Sequence, residues 1–161
     1  PPPPGGGPRP ARGGPVCPGA FLLAAAGLLD GFEATTYWCQ LENLALFPHV
    51  RVSAGYPRWV LHKNRFSGGG ISSSIDLALE LVNQLSGPTQ SMSTQLSVQY
   101  APSPPFQSGD PSQAPPEVTA DLRCQDQEFI AKIREATMEV IGNGSHDGYR
   151  PSAYPASPAA G

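Results

Sequence analysis

Prolines and glycines crowd both ends of this chain, and that placement sets how much of it can fold. The opening Pro1-Pro2-Pro3-Pro4-Gly5-Gly6-Gly7-Pro8 continues to Pro15 with almost no apolar side chain, so it cannot bury enough surface to offset the entropy of ordering. Residues 1–14 are expected to be disordered. The tail 142–161, with Pro151, Pro155 and Pro158, reads the same way. Of 161 residues, roughly 100 to 125 are left for a core, near the lower end of the usual domain size.

Ten Lys and Arg against 13 Asp and Glu give a net charge of −3. Only Arg9 and Arg12 form a short basic arm, so nucleic acid is not expected as a partner. The longest apolar run, Ala20 to Leu29, is broken by Gly27 and stops at Asp30, well short of the ~20 residues that span a membrane. It follows Pro and Gly rather than a basic start, which makes it a poor secretion signal. Cys17, Cys39 and Cys124 are odd in number and irregularly spaced, against a disulfide framework or a zinc site. No metal or cofactor is expected, and a reducing, cytoplasmic location is the simplest inference. His49, His62 and His146 are scattered and read as surface residues.

The middle of the chain alternates short strand and helix patterns, which predicts an α/β sheet with a parallel centre. Pro18 suits a first helical turn, and the apolar Ala20–Ala26 stretch predicts a helix buried all round and closed by Gly27. Residues 33–38 read as a strand, 39–47 as a short helix ended by Pro48, 50–56 and 59–61 as strands, and 62–64 as a turn. Ser67-Gly68-Gly69-Gly70 lacks the lysine and spacing of a phosphate-binding loop and reads as a tight helix entry. In the helix that follows, Ile75, Ala78, Leu79, Val82 and Leu85 keep helical spacing, and Leu77 and Leu81 widen the stripe, as for a helix covered on two sides. Gly87-Pro88 ends it, and Thr89 can cap another helix toward Tyr100. Compact structure is expected over residues 15–118. Residues 119–141 form an amphipathic pattern with Leu122, Phe129, Ile133, Ala136 and Val140 on one face, which must dock on something or remain marginal.

Cys17 lies where an extended segment gives way to the first apolar helix. Unpaired N–H groups and the helix dipole at such a position favour thiolate, the nucleophilic form. Cys17 is therefore the first catalytic candidate, while Cys39 and Cys124 read as passive thiols. Asp76, in the first turns of its helix, is sufficiently explained by the dipole, and a pocket-edge role stays open.

Val16-Cys17-Pro18-Gly19-Ala20-Phe21, Ala34-Thr35-Thr36-Tyr37-Trp38, Ser67-Gly68-Gly69-Gly70-Ile71-Ser72-Ser73-Ser74-Ile75-Asp76 and Tyr100-Ala101-Pro102-Ser103-Pro104-Pro105-Phe106 resemble, in that order, the ThiJ/PfpI superfamily, in its isonitrile hydratase branch. The resemblance runs from about Val16 to Ala114. It implies a partial flavodoxin-like three-layer α/β sandwich, a possible homodimer and a small-molecule substrate. It places the nucleophile at Cys17 on a strand-to-helix elbow, with Pro18, Gly19, Tyr37, Gly69 and Gly70 around the elbow or substrate pocket. The implied reaction is attack on an isonitrile carbon and release of an N-substituted formamide. In the family an earlier half of the domain carries the first strands and the thiol's acidic partner. Fifteen residues precede Val16 here, so those parts are expected to be missing. Pro18 and Tyr37 stand where threonine and histidine are common, which leaves Cys17 without the expected proton-transfer groups. Two other readings stay open: a non-catalytic α/β binding module using a sheet edge and the 119–141 helix, and a glyoxalase- or deglycase-like cysteine enzyme.

Overall fold

The computed structural model describes residues 14–144. Most of the two segments expected to be disordered, 1–14 and 142–161, therefore lies outside the described residues, but Gly142 of the second is the last residue of a helix. Helix α1 (Gly19–Ala25) follows Pro18 and closes as the sequence suggests. Gly27 takes φ 69°, its N–H reaches the Ala24 carbonyl at 2.9 Å, and the Leu28 N–H reaches that of Leu23 at 2.8 Å. These are the two bonds of a Schellman cap, which needs a residue tolerant of left-handed backbone. The helix is not buried all round: Ala20, Phe21 and Ala24 face the core while Leu22 is 74% exposed.

The strands are shorter than the sequence pattern suggests. Strand β1 (Glu33–Ala34) pairs in parallel with β2 (Arg51–Val52). Pairing stops because the next residues spend their hydrogen bonds elsewhere. The Thr35 N–H donates to Ser67 Oγ at 2.8 Å and the Thr36 hydroxyl to the Cys17 carbonyl at 2.7 Å. The expected helix over 39–47 divides into a 3-10 turn, Trp38–Gln40, and α2 (Leu41–Leu44). Strand β3 (Trp59–His62) runs antiparallel to β4 (Arg65–Gly68), with Lys63 at φ 57° in the turn. Strand β4 was hidden in the sequence, because the glycine run that follows masks it as loop. An isolated parallel bridge joins Val16 to Gly68.

Helix α3 (Ser73–Ser86) is followed by α4 (Pro88–Ser97), the break falling at Gly87, φ 85°. Gly87, not Thr89, is the residue that precedes α4. Helix α3 packs on α4 and on the β3–β4 hairpin, but among its residues only Ser73 and Leu77 are buried. The expected cover on two sides is thus present on one, and Ile75 remains 42% exposed. The pattern expected as one helix over 119–141 is two, α5 (Pro116–Gln125) and α6 (Gln127–Gly142), broken at Asp126.

Helices α1, α2 and α6 gather with β1 and β2 around Ala20, Phe21, Ala24, Leu29, Ala34, Leu44, Phe47 and Val50. The Phe21 and Phe47 rings meet at 6.3 Å, tilted. Ile133, Val140 and Ile141 of α6 pack on this cluster, and Asn43 Nδ2 donates to the Ile130 carbonyl at 2.9 Å. The C-terminal helix is therefore docked within its own chain, which removes the basis for an unoccupied helix face awaiting a partner. The docked line runs through Ile133, Thr137 and Val140, whereas Phe129, on the expected face, is 40% exposed. The expected α/β architecture stands, with helices on both groups of strands.

Candidate active site

Gly68 builds the elbow by bonding on both sides of Val16. Its N–H donates to the Pro15 carbonyl at 2.9 Å, and its carbonyl accepts from the Cys17 N–H at 3.1 Å. A Cβ at Gly68 would lie 2.8 Å from Ser73 Oγ and 3.2 Å from Val16, so the close approach of the two segments requires glycine. The chain then turns sharply into α1, with the Gly19 N–H bonded to the Val16 carbonyl at 3.1 Å. Cys17 takes the strain of that turn at φ 54°, a left-handed conformation that costs a side-chain-bearing residue about 1–2 kcal/mol. The Thr36 hydroxyl clamps its carbonyl. Gly19, by contrast, has room for a side chain, since an added Cβ would meet Pro15 at an ordinary 3.5 Å; close packing behind the elbow depends on Gly68.

Beside the elbow lies a cavity of about 200 Å³, walled by Thr36, Tyr37, Trp38, Gly69, Gly70 and Leu122 among others. Tyr37, Gly69 and Gly70, expected around the elbow or substrate pocket, line this cavity. Cys17, Pro18 and Gly19 are not among its lining residues. Half-buried Cys17 meets the wall through Thr36 and through Gly68, the residue before Gly69. Arg58 also borders the cavity and opens onto a wider groove of about 820 Å³ that runs past Asp76, Tyr100 and Phe106. There Arg58 pairs with Asp76 at 2.5 Å, and the Tyr100 hydroxyl donates to the same carboxylate at 2.8 Å. Asp76 therefore does more than complement a helix dipole. It ties β3's approach to the closing segment, and its hydrogen bond pushes the Tyr100 phenol's pKa up.

The electrostatics of Cys17 run against the sequence expectation. Burial pushes its thiol pKa up, because desolvation disfavours the charged form. Helix α1 has only seven residues, and its dipole is correspondingly short. Cys39, buried within the 3-10 turn, is also pushed up by burial, with Tyr37 and Arg123 opposing.

A carboxylate that the sequence did not advertise reaches the cavity wall. Asp126, at the break between α5 and α6, accepts the Tyr37 hydroxyl proton at 2.9 Å. Burial first, then that bond, drives the Tyr37 pKa well above the usual tyrosine range. Arg123, one turn earlier in α5, stacks over Trp38 with 5.0 Å to the ring centre. Among the described residues, no group of three or more His, Cys, Asp or Glu is placed to hold a metal ion. None of their helices is long and apolar enough to cross a membrane.

No protein-family model matches the chain. Isonitrile hydratase of Pseudomonas putida is 43% identical to it over 108 residues, 67% of this chain and 46% of that enzyme. The crystal structure of a ThiJ/PfpI family protein from Pseudomonas syringae superposes with a TM-score of 0.71 at 34% identity, covering 77% of this chain and 50% of that one. The HTH-type transcriptional regulator GbdR of Pseudomonas aeruginosa is 35% identical over 77 residues, 47% of this chain and 20% of the regulator. The chain thus spans about half the length of the first two proteins.

Proposed function

We propose that this chain, which belongs to the ThiJ/PfpI superfamily in the branch of isonitrile hydratase, uses Cys17 as the nucleophile of an isonitrile-hydrating site. The observation that carries the reading is the left-handed backbone of Cys17, φ 54°, at a strand-to-helix turn whose geometry Gly68 and Thr36 fix. An outlier of this kind at a nucleophilic side chain motivates a functional reading. A thiol kept protonated by burial suits the first step. The S–H adds across the terminal carbon of R–N≡C: a C–S bond forms, the thiol proton ends on carbon, and the product is the thioimidate R–N=CH–S–Cys17. Water then adds to that carbon, the C–S bond breaks, and R–NH–CHO leaves with the thiol restored. A small alkyl isonitrile would sit in the neighbouring cavity of about 200 Å³, whose wall combines Tyr37, Trp38 and Leu122 with the polar Thr36, Arg58 and Ser72. The test is formamide release from n-butyl isonitrile by the wild type and by Cys17→Ser. Loss of turnover in the variant is expected; equal turnover rules Cys17 out.

The 77-residue stretch that aligns at 35% identity with a transcriptional regulator favours a second reading, a non-catalytic module that binds a small molecule in the same cavity. Under it, Cys17→Ser leaves ligand binding intact and no covalent adduct forms. Methylglyoxal consumption separates the glyoxalase- or deglycase-like alternative from both.

A further inference from the structure

At the end of the strands where β1 begins, the fold gathers nitrogen donors from three separate segments. Glu33 of β1 stands opposite Arg51 of β2, and the Glu33 N–H crosses to β3, donating to His62 Nδ1 at 3.0 Å. That bond fixes the state of the ring. Nδ1 accepts, so the neutral imidazole carries its proton on Nε2. The ring stays neutral at pH 7, because burial first and then the Lys63 and Arg51 charges hold its pKa below the usual histidine value, with Glu33 opposing. Arg51 Nη2 lies 3.4 Å from His62 Nε2. A guanidinium has no acceptor to offer, so two donors face each other and neither satisfies the other.

The surroundings add positive charge to this pair. The other bond made by Arg51 is a long one, 3.4 Å, to the Gly31 carbonyl. The Lys63 ammonium, from the turn between β3 and β4, lies 5.6 Å from the centre of the Phe32 ring, which the His62 ring meets edge-on at 5.8 Å. The Arg65 guanidinium lies over the same ring at 5.3 Å, with its Nε bonded to the Leu28 carbonyl at 3.1 Å. The Glu33 carboxylate is engaged by the Ser53 hydroxyl. Neither Arg51 nor Lys63 forms an ion pair with a carboxylate among the described residues.

We infer that Arg51, His62 and Lys63 form a binding site for the phosphate group of an anionic ligand. Adjacent phosphate oxygens accept from Arg51 and from His62 Nε2 at about 2.8 Å each, which turns a contact between donors into a bridge. A further oxygen meets the Lys63 ammonium, whose flexible stem lets it follow. Water accepts from both facing donors but brings no charge to offset the two cations, and a planar carboxylate has two oxygens for donors on three side chains. The site is independent of Cys17. Strand β4 separates the two, running from Arg65, opposite His62, to Gly68 at the elbow.

The folded chain is titrated with inorganic phosphate, and with chloride at matched ionic strength, while NMR follows the His62 imidazole signals, identified by their loss in His62→Gln. Saturable movement with phosphate and none with chloride is expected. Affinity should fall at least ~10-fold in Arg51→Gln and in Lys63→Gln, the worth of one hydrogen bond to a charged group. Both residues are exposed, so both variants should fold. Lys132→Gln, a basic residue paired with Glu128 elsewhere, should bind as the wild type does. Movement that grows linearly with phosphate, that chloride reproduces, or that survives both substitutions overturns the site; acetate binding as tightly as phosphate overturns the choice of phosphate. A soluble ester and a lipid headgroup both carry that group, and two further probes tell them apart. Phenyl phosphate binding more tightly than inorganic phosphate assigns a soluble ester, and retention on phosphatidic acid vesicles that Arg51→Gln abolishes assigns a headgroup.

Discussion

At the scale of single residues, the elbow is held by two different necessities. Gly68 is required by space, Cys17 by chemistry. A methyl at Gly68 would meet Ser73 Oγ at 2.8 Å, and Ser73 cannot easily yield, being buried and bonded to the Gly70 carbonyl at 2.6 Å. Gly68→Ala should therefore cost about 1–3 kcal/mol, the usual penalty of overpacking, measured by urea denaturation; a cost near zero would mean the two segments can separate freely. For Cys17, the raised pKa makes a specific labelling order. Exposed Cys124 should react with iodoacetamide first at neutral pH, half-buried Cys17 next and buried Cys39 last. The Cys17 rate should climb with pH through a midpoint above that of a free cysteine. Peptide mapping after timed labelling checks it, and a fast Cys17 reaction at pH 7 would show that the dipole wins over burial after all. The location of this thiol was readable from the residue order around it, because a Val-Cys-Pro-Gly run has few ways to turn. Its titration was not, since desolvation comes from chain segments brought in by the fold.

At the scale of elements, what sequence periodicity revealed was amphipathicity, and what it missed was phase. Residues 119–141 were legible as helical, but the break at Asp126 carries no proline or glycine to announce it. The buried line of α6 includes Thr137, 4% exposed, a polar residue that shifts the apparent apolar stripe toward Phe129. The structure therefore separates two substitutions that look equivalent in sequence. Ile133→Asp, placing a carboxylate against the core cluster, should lower the thermal midpoint strongly, as an unpaired charge in apolar surroundings does. Phe129→Asp should change it little. Equal effects would mean that α6 is rotated from the position described. Strand β4 was missed for a related reason: four residues, Arg65–Gly68, with one large apolar side chain, are a strand only because Trp59–His62 and Val16 lie beside them. Breadth misled for α3 in the opposite direction, since a wide apolar stripe records what a helix could bury and not what the described residues bring to it.

At the scale of the whole molecule, the tertiary structure gathers groups that prefer to keep their protons, and this lowers its stability in alkaline solution. Burial raises the pKa of Cys17, Tyr37 and Cys39, while the Asp76 hydrogen bond raises that of Tyr100. Each of these groups is neutral when protonated, so the folded chain holds protons that the unfolded chain has released once the pH passes the ordinary values, ~8.5 for cysteine and ~10 for tyrosine. Stability falls with rising pH wherever the folded state binds more protons. The contribution is fully present below about pH 8 and is lost progressively as the solution becomes alkaline. The urea midpoint should therefore be flat from neutrality to about pH 8 and decline toward pH 10.5. Tyr37→Phe removes the group with the largest shift and should make the decline shallower; Tyr37 joins the strand region to the α5–α6 junction, so the same variant also reports how far that junction supports the fold below pH 8. A midpoint that rises between pH 8 and 10.5, or a decline unchanged in Tyr37→Phe, would mean that Tyr37 titrates in the native state like a phenol in water, and that its bond to Asp126 is not kept in solution.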